Sequence, residues 1–362
     1  MYSEKSPMVT KAIPDSSMKR RVIVYGAFKG MGDLLSAAPV IESELRQGAE
    51  IKLLVFPKTP LPKITELLDF GTNRDNLRLF ELPISGGLRP FLRQMKNFRA
   101  DLIWISPHAS REASSWKIPL LLWITKRLCW PQAKLAGAAD ESFSALFDVK
   151  VSADRRLPLG LREWQAYGRL SSVAPPAFPG FTPFIETIRA QRKLAPTYDL
   201  LIAPGANAKN RLWPTSHYVS LVEILPPSYR IAVVGVPSDV EQLRSVLPKS
   251  RSIEFLCGTL EQAISCIARA RSLLSMDSGT MHFANVLNVP AIALFGKADP
   301  TTIIPADGSV LPVYERKFPC QPCEQATCSQ PEVYCMNSLS PETVGAAILK
   351  LLQSTKPELA AR

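Results

Sequence analysis

Apolar and polar positions along the chain switch between two periods, and the switching runs through twice. Short runs of Val, Ile and Leu bounded by Gly, Pro, Asn or Asp predict buried strands, and the stretches between them carry the spacing of helices packed on a sheet. In the first half, strands are predicted at 21–26, 51–56, 77–82 and 101–106, with helices near 34–47, 60–69, 88–98 and 115–129. In the second, strands are predicted at 198–204, 229–236, 252–257, 271–276 and 291–295, again with helices between. Strand and helix alternating in this way predict an α/β fold with parallel sheets covered on both faces.

Between the halves lies SSVAPPAFPGFTPF, whose four prolines cannot continue a helix. The expected organisation is a polar tail over 1–20, a first domain over 21–180, a linker over 181–197 and a second domain over 198–339. A final helix and tail fill 340–362, opened by Ser340-Pro341-Glu342 with proline at the first helical position.

Composition changes this picture little. With 362 residues, 46% hydrophobic and 21% charged, the chain can build two cores of an ordinary soluble protein. It has no apolar run of about 18 residues, so no transmembrane helix is expected. Residues 1–20 lack an apolar h-region, so no secretory signal and a cytoplasmic location are expected. Charge is more informative. Residues 1–180 hold 26 Lys and Arg against 17 Asp and Glu, a net +9 of the chain's +11. Such an excess draws acidic partners, here an acidic glycolipid or the anionic surface of the inner membrane, to the first half. Nucleic acid is not expected, because no basic run interleaved with aromatics and no reading motif occurs.

The candidate chemistry concentrates in residues 275–300, SMDSGTMHFANVLNVPAIALFGKADP. Asp277 and Ser278 end an apolar strand, Gly279 permits a tight turn, and Thr280 opens a helix. Unpaired N–H groups and the positive end of that helix then face the crevice above the sheet, where a diphosphate is held without a metal. At the other end, the strand at 21–25 runs into a Gly-containing loop carrying Asp33, which reads either as a helix cap or as a carboxylate base. Gly26, Gly30 and Gly32 do not spell G-x-G-x-x-G, which argues against a nicotinamide dehydrogenase. Gly235 ends the run IAVV, and Asp239 just after it is a candidate for ribose contact.

In order, these motifs resemble glycosyltransferase family 9, the heptosyltransferases. Its D-S-G-x-M-H-x-A stretch, apolar strand, F-G and D-P match Asp277, Ser278, Gly279, Met281, His282, Ala284, Phe295, Gly296, Asp299 and Pro300. Gly32-Asp33 with Pro39 is similar to its opening G-D-x-x-x-x-x-P, and APGANAKNRLWP at 203–214 to its basic-x-Trp-Pro element. Arg211 stands where that family usually has lysine. The resemblance runs over roughly residues 20–352.

The resemblance implies a GT-B architecture, two facing Rossmann-like domains with the C-terminal helix packing back on the first. It implies inverting, metal-independent transfer of heptose from ADP-heptose to an acidic acceptor, the lipopolysaccharide inner core. Asp33 is then the base. Arg211, with Lys209 in reserve, and Ser278, Gly279 and Thr280 meet the diphosphate, while Asp277 orients sugar hydroxyls. His282 is either a ligand or a bond to a neighbouring strand. Lys29 and Arg111 are assigned to the acceptor, with Arg89, Arg93, Lys96 and Arg99 expected at the cleft or its rim. Other readings of the same fold are a transferase using another nucleotide sugar or a protein acceptor, a nucleotide-sugar epimerase, and a noncatalytic binding module.

Cys320, Cys323, Cys328 and Cys335 form C-x₂-C-x₄-C-x₆-C, a density that suits a structural zinc or iron and that a reducing compartment keeps from forming disulfides. A similar cluster occurs in many members of the family that the chain resembles. A reduced, metal-free loop is the alternative, and no cofactor is required for catalysis. Cys129, Cys257 and Cys266 lie in apolar runs and are expected in the core.

Overall fold

The computed structural model describes residues 22–28, 30–56, 59, 61–82, 87–107, 117–141, 143–171, 180–181, 185–188, 190, 196–304, 308–323, 325 and 327–354. The first half is a six-stranded parallel sheet of β1 (Val22–Phe28), β2 (Glu50–Val55), β4 (Leu77–Glu81), β5 (Leu102–Ile105), β6 (Lys134–Ala138) and β7 (Val149–Val151), in the order β4-β2-β1-β5-β6-β7. The second is a parallel sheet of β9 (Leu200–Ala203), β10 (Ile231–Gly235), β11 (Ile253–Cys257), β12 (Leu273–Met276), β13 (Ala291–Phe295) and β14 (Val310–Tyr314), in the order β11-β10-β9-β12-β13-β14. Both orders reverse direction beside the first strand of the half. Each sheet therefore has a switch point, at β1/β5 and at β9/β12, above which a crevice opens at the carboxyl ends of the strands. The two-residue strands β3 (Leu68–Asp69) and β8 (Gly180–Phe181) pair antiparallel.

Helices α1 (Met31–Arg46), α2 (Leu61–Leu67), α3 (Leu88–Met95), α4 (Lys117–Cys129) and α5 (Leu159–Tyr167) cover the first sheet. The second carries α6 (Thr215–Ile224), α7 (Pro237–Val246), α8 (Leu260–Arg269), α9 (Gly279–Val286), α10 (Tyr334–Asn337) and α11 (Pro341–Ser354). Strands β12 and β13 are buried along their whole length, as a sheet covered on both faces requires. One core runs through both halves: Leu34, Leu35 and Ala38 of α1 belong to the same buried cluster as Met281, Phe283 and Ala284 of α9. Several buried polar groups in the first half are paired across elements. The Glu163 carboxylate on α5 accepts from Trp104 Nε1 (2.8 Å) and Ser106 Oγ (2.7 Å), and Tyr167 donates to Glu44 on α1 (2.9 Å).

Every strand and helix predicted from the pattern is present, with ends displaced by a few residues. The pattern misses β3, β6, β7, β8, β14, α5 and α10. β6 is LAGA-rich and lacks β-branched residues, and β7 is only three residues long. The final helix was expected to pack back on the first domain, and residues 355–362 of its tail lie outside the described ones. α11 packs on α6 and β13 of its own half, where Val344, Ile348 and Leu352 are buried, because its apolar stripe matches the open face of α6. Within the expected linker, Ile185 and Ile188 are buried in the shared core. Among the described residues, no helix is long and apolar enough to cross a membrane.

Trp213 anchors the loop after β9. It is buried, its Nε1–H donates to the Leu339 carbonyl (2.8 Å), and it stands edge-on to Tyr218 at 4.8 Å. The Trp-Pro pair is therefore a fixing point for Arg211 and not itself a ligand contact. Trp213→Ala is expected to cost about 3–5 kcal/mol, the range for a buried aromatic truncation, read as a lower urea midpoint. A midpoint within error of wild type contradicts this anchoring.

Candidate functional site

A cleft of about 1430 Å³ lies above the two switch points. Gly26 at the end of β1 and Ser106 after β5 form one wall, and Ala203 and Gly205 after β9, Val234 and Gly235 of β10, and Asp277 after β12 form the other. Asp33, Lys209, Arg211, Asp239, Asp277, Ser278, Gly279, Thr280 and His282 all line it, so the residues nominated from sequence on both sides come together in one place. Lys29 and Arg111 lie outside the described residues. Arg89, Arg93, Lys96 and Arg99 do not line the cleft. On α3, Phe91 and Met95 turn inward, and Arg89, Arg93, Lys96 and Arg99 are exposed, so the expectation that they line the cleft is corrected.

α1 and α9 meet by their first turns. A Cβ added to Gly32 would lie 2.4 Å from the His282 ring, and one added to Gly279 would lie 2.1 Å from Met31 Cε. Glycine at these two positions lets the helix starts from opposite halves touch. Asp33, in the first turn of α1, accepts from the Gly30 N–H (3.2 Å) and is half-buried. The cap and the cleft-facing carboxylate are thus one residue. Ser278, at the start of α9, makes no side-chain cap. Its hydroxyl instead meets Thr280 Oγ1 at 2.9 Å, and Thr280 meets Ser275 Oγ at 2.7 Å, so the first-turn N–H groups of α9 are not spent on a capping side chain.

Arg211 holds the end of β12. Its Nη1 donates to the Asp277 carbonyl at 3.2 Å and its Nε lies 3.4 Å from Asp277 Oδ2, while 32% of the side chain remains exposed on the cleft. A guanidinium with five N–H donors can serve Asp277 and still meet an anion. Burial lowers the His282 pKa to about 4, the Arg211 cation pushes the same way, and the Asp277 carboxylate opposes both. The ring is neutral at pH 7 and packs on the Gly32 backbone. Asp239, in the first turn of α7, sits over Gly205, where an added Cβ would lie 2.3 Å from Oδ2.

Sequence reasoning passed over two cations of this cleft. Lys297 lines it and donates to the Gln325 carbonyl (2.6 Å), and Lys117 lines the first-half wall beside Ile118 and Leu121. The signal for Lys297 was its place between Phe295-Gly296 and Asp299-Pro300.

The cysteine-bearing loop is tied to the same wall. Buried Gln321 donates to the Gly296 carbonyl (2.6 Å) and accepts from the N–H groups of Lys317 and Phe318, and the Cys323 N–H donates to Lys297 O (2.8 Å). Cys328, Thr327 and Glu332 line the cleft. Burial pushes the Cys335 thiol up, and Cys323, Cys328 and Cys320 each add to the shift. All are free thiols, and among the described residues no group of three or more His, Cys, Asp or Glu is already drawn together as a ligand set. Of the cysteines expected in the core, Cys257 is exposed at the end of edge strand β11, while Cys129 and Cys266 are half-buried.

Residues 184–334 match the family described as Glycosyltransferase family 9 (heptosyltransferase). The chain is 36% identical over 107 residues to Lipooligosaccharide heptosyltransferase 2 of Haemophilus influenzae, covering 27% of this chain and 31% of that protein. It therefore spans about a third of that relative's length. It is 23% identical over 261 residues to Lipopolysaccharide heptosyltransferase 2 of Salmonella typhimurium, covering 66% and 70%. The solved structure of E. coli ADP-heptose lps heptosyltransferase II superposes with a TM-score of 0.62 at 19% identity, covering 92% of this chain and 99% of that one. The architecture is thus the two-domain GT-B fold.

The buried neutral ring makes stability depend on pH. An unfolded histidine titrates near 6.5, so between about 6.5 and about 4 the unfolded state binds a proton that the folded state refuses. The contribution of His282 is full above pH 6.5 and is lost as pH falls through that window, by about 2 kcal/mol at pH 5. Urea midpoints are expected to drop between pH 7 and pH 5 by less in His282→Asn than in the wild type. An equal drop in both shows that the ring is not held neutral.

Proposed function

We propose that this chain, whose segment 184–334 belongs to glycosyltransferase family 9, transfers heptose from ADP-heptose to an acidic acceptor of the lipopolysaccharide inner core, with inversion at the anomeric carbon. One observation carries the reading. A carboxylate on the first half, Asp33, shares a single cleft with an uncapped helix start and Arg211 on the second.

The chemistry follows from that division. The β-phosphate of the leaving nucleotide is placed on the first turn of α9, where N–H groups, the helix dipole, the Thr280 hydroxyl and the Arg211 guanidinium offset its growing charge. Lys209 and Lys297 add positive potential on the same side, so the step needs no metal. Asp239 is placed for the ribose hydroxyls. Asp277 is nearly buried and ion-paired with Arg211, which suits orientation of the sugar and not nucleophilic attack. Asp33, Asp239 and Asp277 each have another task in this reading, which suits a single displacement with no covalent glycosyl intermediate. Asp33 takes the proton of the acceptor hydroxyl as the C–O bond forms, and the electron pair of the breaking anomeric bond leaves on the diphosphate. On the acceptor side, Lys117 stands beside Phe56, Leu82, Ile118 and Leu121, a wall that suits an anionic, amphiphilic acceptor. The curated relatives are named for transfer to lipopolysaccharide or lipooligosaccharide, and the E. coli neighbour for an ADP-heptose donor, which support the choice of substrates.

For the cysteines we infer a structural zinc or iron held by Cys320, Cys323, Cys328 and Cys335. The donor set suits either metal, and Cys320, Cys323, Cys328 and Cys335 all belong to a loop region pinned by Gln321, with Cys335 sensing the other three. Protein purified without chelator is expected to carry about one zinc or iron per chain, lost when all four are changed to serine. Absence of metal from active protein overturns this assignment.

Asp33→Asn keeps an oxygen to accept from the Gly30 N–H and so preserves the α1 start, but removes the base. Turnover with ADP-heptose and heptose-deficient lipopolysaccharide is expected to fall by about 10² or more, the general-base range, with calorimetric affinity for ADP unchanged. Wild-type turnover removes Asp33 from the mechanism. Release of free sugar by the wild type with no acceptor consumption removes the transferase reading.

A further inference from the structure

The basic residues of α3 are left over once the cleft is described. Arg89, Arg93 and Lys96 recur at four- and three-residue spacing, which sets them in one stripe along the helix, and all three are exposed. Phe91 and Met95, on the opposite side, are buried in the core beneath the sheet. From Gly87 to Ala100 the chain holds no acidic residue. This sets the stripe apart from those surface cations that a neighbouring carboxylate holds. Arg46, Lys63, Arg156 and Arg244 each have a carboxylate at 2.6–3.2 Å, whereas none of the three stripe residues forms an ion pair among the described residues.

Apolar side chains border the stripe. Leu88 at the start of α3 is 41% exposed. The last turn of α4 sits alongside α3, with Cys129 Sγ 3.6 Å from the Leu92 carbonyl, and carries Leu128, which is 56% exposed, next to Arg127. Gln94 and Asn97, with Arg78 of the edge strand β4, line a hollow of about 750 Å³ at the same end. Three unpaired cations in a row, apolar side chains at their flanks and a polar hollow beside them fit a plane of phosphates over a hydrocarbon layer.

We propose that the outer face of α3, flanked by the end of α4, is the surface by which this protein docks on an anionic lipid bilayer. Arg89, Arg93 and Lys96 lie against headgroup phosphates, and Leu88 and Leu128 enter the interface. The proposal goes beyond the transferase reading, which gives it a purpose. α4 begins at the cleft wall with Lys117 and Ile118, so a bilayer under the α3–α4 face brings the cleft mouth near a lipid-anchored acceptor.

Sedimentation of the full chain with vesicles tests docking without any turnover. Binding is expected to vesicles of phosphatidylcholine mixed with phosphatidylglycerol and not to phosphatidylcholine alone. R89E/R93E/K96E is expected to bind the mixed vesicles at least on the order of 100-fold more weakly, since each basic residue at an anionic surface contributes roughly fivefold. R89K/R93K/K96R is expected to bind as the wild type does. R244E/K249E/K350E removes the same charge from exposed positions of the second half and is expected to leave binding unchanged. Equal loss in the two reversal variants, or equal binding to neutral vesicles, overturns the proposal. Because no substrate is present, failure of the transferase reading leaves this result standing.

Discussion

The contact between the first turns of α1 and α9 is the constraint on which the rest of the molecule depends. Two helix starts each carry roughly half a positive charge, and bringing them together is unfavourable unless something negative lies between. The two ends solve this differently. At α1 the protein supplies its own anion, Asp33, on the Gly30 N–H. At α9 no side chain caps the helix, because the Ser278 and Thr280 hydroxyls bond to one another and to Ser275. The first half is thus completed by a carboxylate and the second waits for an anion. That asymmetry sets a carboxylate and an uncapped helix start on opposite sides of one cleft, and it needs Gly32 and Gly279, since any Cβ there would hold the two turns apart.

A line of charge runs back from this contact into the second half. His282 lies against Gly32, Asp277 stabilises its protonated form, and Arg211 opposes it. Arg211 is fixed in turn because Trp213, two residues on, is locked under Leu339. Arginine at 211, where the family that this chain resembles usually has lysine, therefore has a structural reason. A planar guanidinium reaches both the carbonyl and the carboxylate of Asp277 while part of it stays on the cleft, whereas an ammonium is a single point of charge.

Both sheets were legible from sequence, because parallel strands buried on two faces leave continuous apolar runs such as Ala291–Phe295. Edge elements were less so. β6 and β7 are short or rich in small residues, and their pairing is set by neighbours and not by local propensity. The site residues were legible wherever the chain turns from a strand end into a helix, as at Asp33 and Asp277, since a turn of that kind restricts which residues fit. Lys117 was not, because nothing local distinguishes a lysine on a cleft wall from one in solvent, whereas Lys297 carried a signal in its place between Phe295-Gly296 and Asp299-Pro300. The partner of the final helix was not legible for a similar reason: an apolar stripe says that a face is buried, but not against which element, and here α6 supplies it over Pro341–Ser354.

The leftover charge on α3 shows the limit of reading composition alone. A net excess in the first half was expected to converge on the cleft, yet a helix that crosses a sheet must turn its apolar side to the strands, and Phe91 and Met95 fix that side. Residues at 89, 93 and 96 are then forced outward whatever the cleft contains. Their positive field acts on whatever lies beside the domain, at a range set by the Debye length of about 8 Å in physiological salt. The stripe can orient the protein on a charged plane and thereby the cleft above it, but it is Lys117, Lys209, Arg211 and Lys297 on the cleft walls that can touch the reacting phosphates.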